Sequence, residues 1–229
     1  MYFDLVCYVI FCYAPFIIIN LYYFNSDLNL NESEWNIYKS YYFDELIWNK
    51  WGAAMLMSSI NLLQNIYVYA IILIFIPDLF ENNMNNQSRT ILIIMNCIIY
   101  EVIAEIYFYC VHKLLHNIEY LKIIHIDHHK NLQIIAASVF ECHPFEHLIL
   151  NIGTLYMPIF IMYLHNIKIT QFIFYIANII FILNACKSHS GYIIDGEHYY
   201  IHHKYILTNF GFGLYIIDKI VGTYYSANN

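Results

Sequence analysis

Residues 97–129 read CIIYEVIAEIYFYCVHKLLHNIEYLKIIHIDHH, an apolar run that passes directly into two histidine clusters. His112 and His116 stand four apart, so on a helix their imidazoles share one face, a turn apart, and converge on one ion. His125, His128 and His129 occupy positions i, i+3 and i+4. The adjacent pair differs by about 100° around a helix, which lets the two rings serve two neighbouring ions. A third cluster, His198, His202 and His203, follows nearer the C-terminus, with His189 shortly before it. Imidazole is costly to bury without a partner, so histidines gathered beside apolar segments point to bound metal at a membrane surface.

Composition sets the frame for that reading. The chain is 60% hydrophobic and only 12% charged, with a mean hydropathy of +0.50, which describes a membrane protein rather than a soluble domain. The net charge of −7 comes largely from Asp27, Glu32, Glu34, Asp44 and Glu45, a solvated acidic loop. With one arginine and no basic stripe, the sequence gives nucleic-acid binding no support. Six scattered cysteines form neither a CxxC pair nor a disulfide framework and read as small buried hydrophobes. Asp4 stands where a signal peptide would carry a basic residue, so the N-terminal apolar run is expected to be retained.

Four or five stretches (5–24, 53–80, 90–111, 147–164 and 169–186) are apolar enough to cross or enter a bilayer, which takes about 20 residues. The last two, joined by a turn at 165–168, form a hairpin, and 53–80 with 90–111 form another turning near Arg89. The first stretch either crosses or lies in the interface. Two crossings separate the second histidine cluster from the third, and 117–124 is too short to cross, so all the clusters face one compartment. Lys39, Lys50, Lys113, Lys122, Lys130, Lys187, Lys204 and Lys219 fall on that side and only Arg89 and Lys168 on the other, which places the histidines in the cytoplasm. The expected fold is therefore an all-α integral membrane protein. It has about four transmembrane helices in two hairpins and a cytosolic helical cap carrying the histidines. An N-terminal membrane region, 1–104, with an acidic loop at 25–52, joins a histidine-bearing domain, 105–229, that includes the hairpin 147–186, as one compact unit.

The candidate ligands are His112, His116, His125, His128, His129, His189, His198, His202 and His203, too many for one ion and suited to two. Glu105, Asp127, His143 and Glu146 are candidates to orient them from behind. Pro144 and Glu146 also mark a helix start at His143. Imidazole-rich pairs suit iron, zinc or copper. Iron with dioxygen can attack an unactivated C–H bond, the group a lipid offers, which favours iron. A metal transporter, with histidines along a path, and a non-catalytic metal-binding scaffold are the other readings these residues allow.

At these positions the sequence resembles the fatty acid hydroxylase/sterol desaturase superfamily of membrane di-iron oxygenases. The resemblance runs from about Glu105 to Thr223 through HKLLH, HIDHH, HPFE (143–146), HSGY (189–192), the pair His202-His203, NFGFG (209–213) and DKIVGT (218–223). HKLLH followed by HPFE and HSGY is most similar to the C-4 methylsterol monooxygenase branch. The chain departs from the pattern where Tyr199 takes the first position of the third box, with His198 one residue earlier, and where Lys113 replaces the usual arginine. The resemblance implies an endoplasmic reticulum, multi-pass enzyme of lipid biosynthesis with two iron ions, in whose place a purified protein could carry zinc. It also implies a hydrophobic lipid substrate, O2, and electrons from NAD(P)H through a reductase and cytochrome b5.

Overall fold

The computed structural model describes residues 2–28, 46–81, 90–130, 135–167, 169–190, 201–213 and 215–226. Its helices are α1 (Tyr2–Leu28), α2 (Leu46–Phe75), α3 (Thr90–Asn117), α4 (Glu119–Lys130), α5 (Pro144–Leu164), α6 (Gln171–Ser188) and α7 (Ile216–Val221). A helical turn at 201–205 carries the last histidine pair. Five of these helices, α1, α2, α3, α5 and α6, are long and apolar enough to cross a membrane, so the chain fits a multi-pass membrane protein. About four crossings are expected from four or five apolar stretches; all five stretches form helices of sufficient length, and α1 packs lengthwise against α6.

The contacts along α1 show how it is held. Tyr175 donates to the Asp4 carbonyl (3.1 Å), Asn178 to the Phe11 carbonyl (3.2 Å), and Asn20 contacts the Cys186 sulfur (3.6 Å), so α1 and α6 run parallel. α5 and α6 form the inner hairpin: 56% and 50% of their apolar windows are buried, against 22–33% for α1, α2 and α3. At the far end of the hairpin, Phe80–Glu81 after α2 pairs in parallel with Ile169–Thr170 before α6. A buried aromatic group of Tyr8, Tyr69, Phe174 and Tyr175 packs in the same region, with the Tyr69 and Tyr175 hydroxyls 2.8 Å apart. The opposite ends of α3, α5 and α6 carry the histidines.

Between α4 and α5 the chain runs through the interior, with residues 135–140 all buried around a 3-10 turn, Ala136–Phe140. Buried backbone needs hydrogen-bond partners, and polar side chains of α2 supply them. Ser58 donates to the Ala137 carbonyl (2.6 Å), and Asn61 donates to the carbonyls of Phe140 (2.7 Å) and Cys142 (3.0 Å).

α5 begins at His143, whose Nδ1 accepts the Phe145 N–H (3.1 Å), with Pro144 in the first helical turn. Its next stretch, His147–Ile152, is a π-helical turn. Tyr107 donates to the Ile149 carbonyl (2.7 Å) and Thr154 to that of Leu150 (2.6 Å), side-chain bonds added to those of the wide turn's own backbone. The Tyr107 hydroxyl occupies the space a Cβ on residue 153 would fill, so Gly153 is required there.

Candidate metal centre

α3 delivers His112 and His116 on its final turns, α4 delivers His125, His128 and His129, and the turn after α6 delivers His189. With His202 and His203 they gather into two buried groups. One holds His112, His116, His125, His129 and His202; the other holds His128, His189 and His203, with ligand atoms in each within 4.8 Å of one another. The neighbours His128 and His129 fall in different groups, and the stacked rings of His129 and His203, 4.4 Å apart, join the two.

Protons decide what the groups can do. A carbonyl or carboxylate oxygen only accepts, so a ring nitrogen bonded to one carries the proton. By that rule Nδ1 donates to the Phe210 carbonyl from His112 (2.9 Å), to Glu146 from His125 (2.8 Å) and to the Glu141 carbonyl from His128 (3.2 Å). It likewise donates to the Ala185 carbonyl from His189 (3.1 Å) and to the Thr208 carbonyl from His202 (2.7 Å). In a neutral ring each Nε2 is then the acceptor nitrogen. Nevertheless the Nε2 atoms of His128 and His189 face each other at 3.4 Å, and those of His125 and His202 both turn on His116 Nε2, at 2.9 and 3.1 Å, where one proton can serve only one of them. Lone pairs turned on one another repel, and a cation between them converts repulsion into coordination. This donor set fits metal, and with no carboxylate in either group it suits iron, zinc or copper.

Burial keeps the rings neutral. It pushes the His125 imidazole down to about 3 and holds His189, His202 and His203 well below the ordinary histidine range, with neighbouring imidazoles adding to the effect in the last three. The close His125–Glu146 contact is accordingly a hydrogen bond rather than an ion pair, because burial lowers the imidazole to about 3. Imidazole with its far N–H held by a carboxylate or carbonyl is the usual arrangement behind a bound metal.

A cavity of about 790 Å³ adjoins the three-histidine group. His128, His189 and Glu146 line its inner end, and its walls are mainly apolar residues of α3 and α6 together with Phe212. Along α3 it extends from Cys97 to Phe108, about 16 Å at 1.5 Å per residue. Ile98, Val102 and Ile180 of α3 and α6 line it and are exposed, so the cavity is open along these two helices.

The other expected site residues separate. Glu105 is buried on the cavity wall beside Gly211 and Gly213, two turns before His112. Glu146 lies directly behind His125, and its second oxygen, Oε2, is buried without a hydrogen-bond partner. Asp127 is exposed, and His143 is the exposed start of α5; neither belongs to the histidine groups. His198 lies outside the described residues. His147 is buried and tied to Asn65 (3.1 Å) and Asn151 (3.2 Å), which makes it a link between α2 and α5. The backbone carbonyls of Glu141, Ala185, Thr208 and Phe210 escaped sequence reasoning because no side-chain type announces an acceptor.

The fatty acid hydroxylase family profile matches residues 97–223, and the chain belongs to that family. Among curated proteins it is 30% identical to human "Fatty acid hydroxylase domain-containing protein 2" over 125 residues, 55% of this chain and 37% of the human one. The crab-eating macaque protein of the same name matches equally. A Dictyostelium discoideum protein named "Putative methylsterol monooxygenase" is 29% identical over 140 residues, 55% of this chain and 50% of that one. The matches thus span half or less of these relatives. No solved structure gives a significant match.

Proposed function

We propose that the chain is a membrane-embedded, O2-dependent di-iron lipid oxidoreductase of lipid biosynthesis. It would act as a hydroxylase or desaturase on a C–H bond of a sterol, fatty acid or sphingolipid. The observation that carries the reading is a shared wall: His128 and His189, whose Nε2 atoms lie 3.4 Å apart, line the inner end of the apolar cavity. The cavity lies within the usual range for small-ligand sites, about 300–1,000 Å³. Its opening along α3 and α6 suits a substrate that arrives from the bilayer. The names of the relatives support a lipid substrate in the same sense.

In this reading His112, His116, His125, His129 and His202 hold one ion, and His128, His189 and His203 the other. Iron bound at these groups supplies dioxygen reduction and the oxidation of an unactivated C–H bond. The rest falls to the chain. Glu146 and the carbonyls of Glu141, Ala185, Thr208 and Phe210 hold the Nδ1 protons, so each of these rings offers Nε2 as its ligand atom. The apolar wall excludes water, and the cavity's length selects which carbon reaches His128. Lys50, Lys113, Lys122, Lys130, Lys187, Lys204 and Lys219 stand near the histidine end, which supports an orientation with that end in the cytoplasm. In the endoplasmic reticulum membrane it would there meet cytochrome b5 and an NAD(P)H-dependent reductase.

The test compares sterols, fatty acids and sphingolipids in cells with the intact gene, without it, and with His128→Ala, alongside the metal content of purified protein. Loss of one product class in both altered lines, with two metal equivalents in the wild type, is expected. A protein that binds no metal and a His128→Ala line with unaltered lipids sink the reading. Bound metal without O2 consumption under added reductant would instead mark a non-catalytic scaffold.

A further inference from the structure

Asp218 lies on α7, outside both histidine groups and behind the cavity wall at Gly211, and it is fully buried. Its Oδ1 accepts the Phe210 N–H (2.9 Å) and the Thr223 hydroxyl (2.7 Å), and its Oδ2 accepts the Gly211 N–H (2.6 Å). Its own carbonyl accepts the N–H groups of Gly222 and Thr223, both at 2.9 Å. The carboxylate therefore straps segment 209–211 to segment 222–224. Asn209 reinforces the strap: its N–H donates to the Thr223 carbonyl (2.9 Å), and its side chain exchanges two bonds with the backbone of Tyr225 (2.9 and 2.7 Å).

What the strap holds is the rear support of two histidines. The Phe210 carbonyl accepts Nδ1–H of His112, and the Thr208 carbonyl accepts Nδ1–H of His202. These rings come from helices far apart in the chain, and both belong to the five-histidine group. A loop carbonyl fixes a ring only if the loop is itself fixed, and a buried carboxylate accepting two successive backbone N–H groups does that. Gly211 shows how close the fit is, since a Cβ there would come within 2.5 Å of Asp218 Oδ2.

We propose that Asp218 is a positioning residue for the five-histidine group. Through the backbone of 208–211 it sets the tautomer and orientation of His112 and His202, and it has no part in the three-histidine group. This inference rests on the two-metal reading above. It gives NFGFG (209–213) and DKIVGT (218–223) one shared task, the second motif gripping the first.

Full-length protein, purified in detergent and stripped of metal, is titrated with Co2+, and stoichiometry and visible d–d spectra are followed. Wild type is expected to bind two equivalents. Asp218→Asn, which puts a donor against a backbone donor, is expected to weaken one equivalent roughly 10–100-fold, the usual cost of losing support behind a ligand. The spectrum and affinity of the other equivalent stay unchanged, an outcome general loosening of the fold would not give. Gly211→Ala, which keeps the carboxylate but crowds it, weakens the same equivalent. Thr223→Val does so more mildly, and Thr223→Ser, which retains the hydroxyl, restores it. If Asp218→Asn does not fold, the Gly211 and Thr223 variants carry the test. Wild-type affinity for both ions in these variants, or a parallel weakening of both, overturns the inference and leaves the metal reading standing. A wild type that binds no Co2+ overturns both.

Discussion

Asn61→Ala tests whether a residue of α2 with no chemistry of its own controls the centre. Asn61 donates to the carbonyls of Phe140 and Cys142 at 2.7 and 3.0 Å, and all of these residues are buried. A buried group that loses its partner costs about 1–3 kcal/mol, so removing both bonds should destabilise the protein by about 2–6 kcal/mol. The effect should also reach the metal groups. The Glu141 carbonyl lies between the two anchored carbonyls and accepts Nδ1–H of His128. Releasing its neighbours frees that ring to turn. Asn61→Asp should be worse than alanine, because it sets carboxylate oxygens against carbonyl oxygens. Unfolding of the purified protein in detergent and metal stoichiometry are the assays. Tyr100→Phe is the control, since it removes one buried bond between α3 and α5, from the Tyr100 hydroxyl to the Leu155 carbonyl (2.8 Å). An Asn61→Ala protein with unchanged stability and both metals bound would refute the reasoning.

Glu146→Ala removes the acceptor behind His125 and should weaken metal binding roughly 10–100-fold, whereas Glu146→Gln, which keeps a carbonyl oxygen in reach, should lose less; chelator competition separates them. Gly153→Ala drives a methyl into Tyr107 and should cost about 1–3 kcal/mol, a loss that Tyr107→Ala in the same chain should partly relieve in a double-mutant cycle. Metal-free protein should be acid-sensitive. Burial lowers the folded-state value of His125 to about 3, so the unfolded chain takes up its proton first, near pH 6.5. Stability present above that pH is then lost as pH falls, by about 2 kcal/mol at pH 5 from this residue alone. Melting curves between pH 7 and 5 that do not move would count against burial of a neutral ring.

The parts legible in the sequence are those written as local patterns. HKLLH and HIDHH sit on α3 and α4, where helical periodicity places their rings on fixed faces, and the apolar runs became long helices. The hairpin α5–α6 was legible because two apolar segments flank a turn of a few residues. His143 was ambiguous for a physical reason: histidine before Pro144 can either cap a helix or support a ligand, and only the fold puts its ring on the capping N–H. The inward course of 135–140 was not legible, because its burial depends on partners that α2 supplies from far away in the chain.

The sequence by itself determined that histidines gather beside apolar segments and that the chain has the helical pattern of a membrane protein. It also carried the motifs of the family the chain belongs to. Spacing along a helix is a short-range property, so those facts survive without a fold. Only the tertiary structure decided the division into groups of five and three, the placing of His128 and His189 on the cavity wall, and the carbonyls that hold each Nδ1 proton. Those depend on where backbone from α6, from 135–142 and from 208–211 comes to rest. A carbonyl oxygen is common to every residue, and only its position gives it a role.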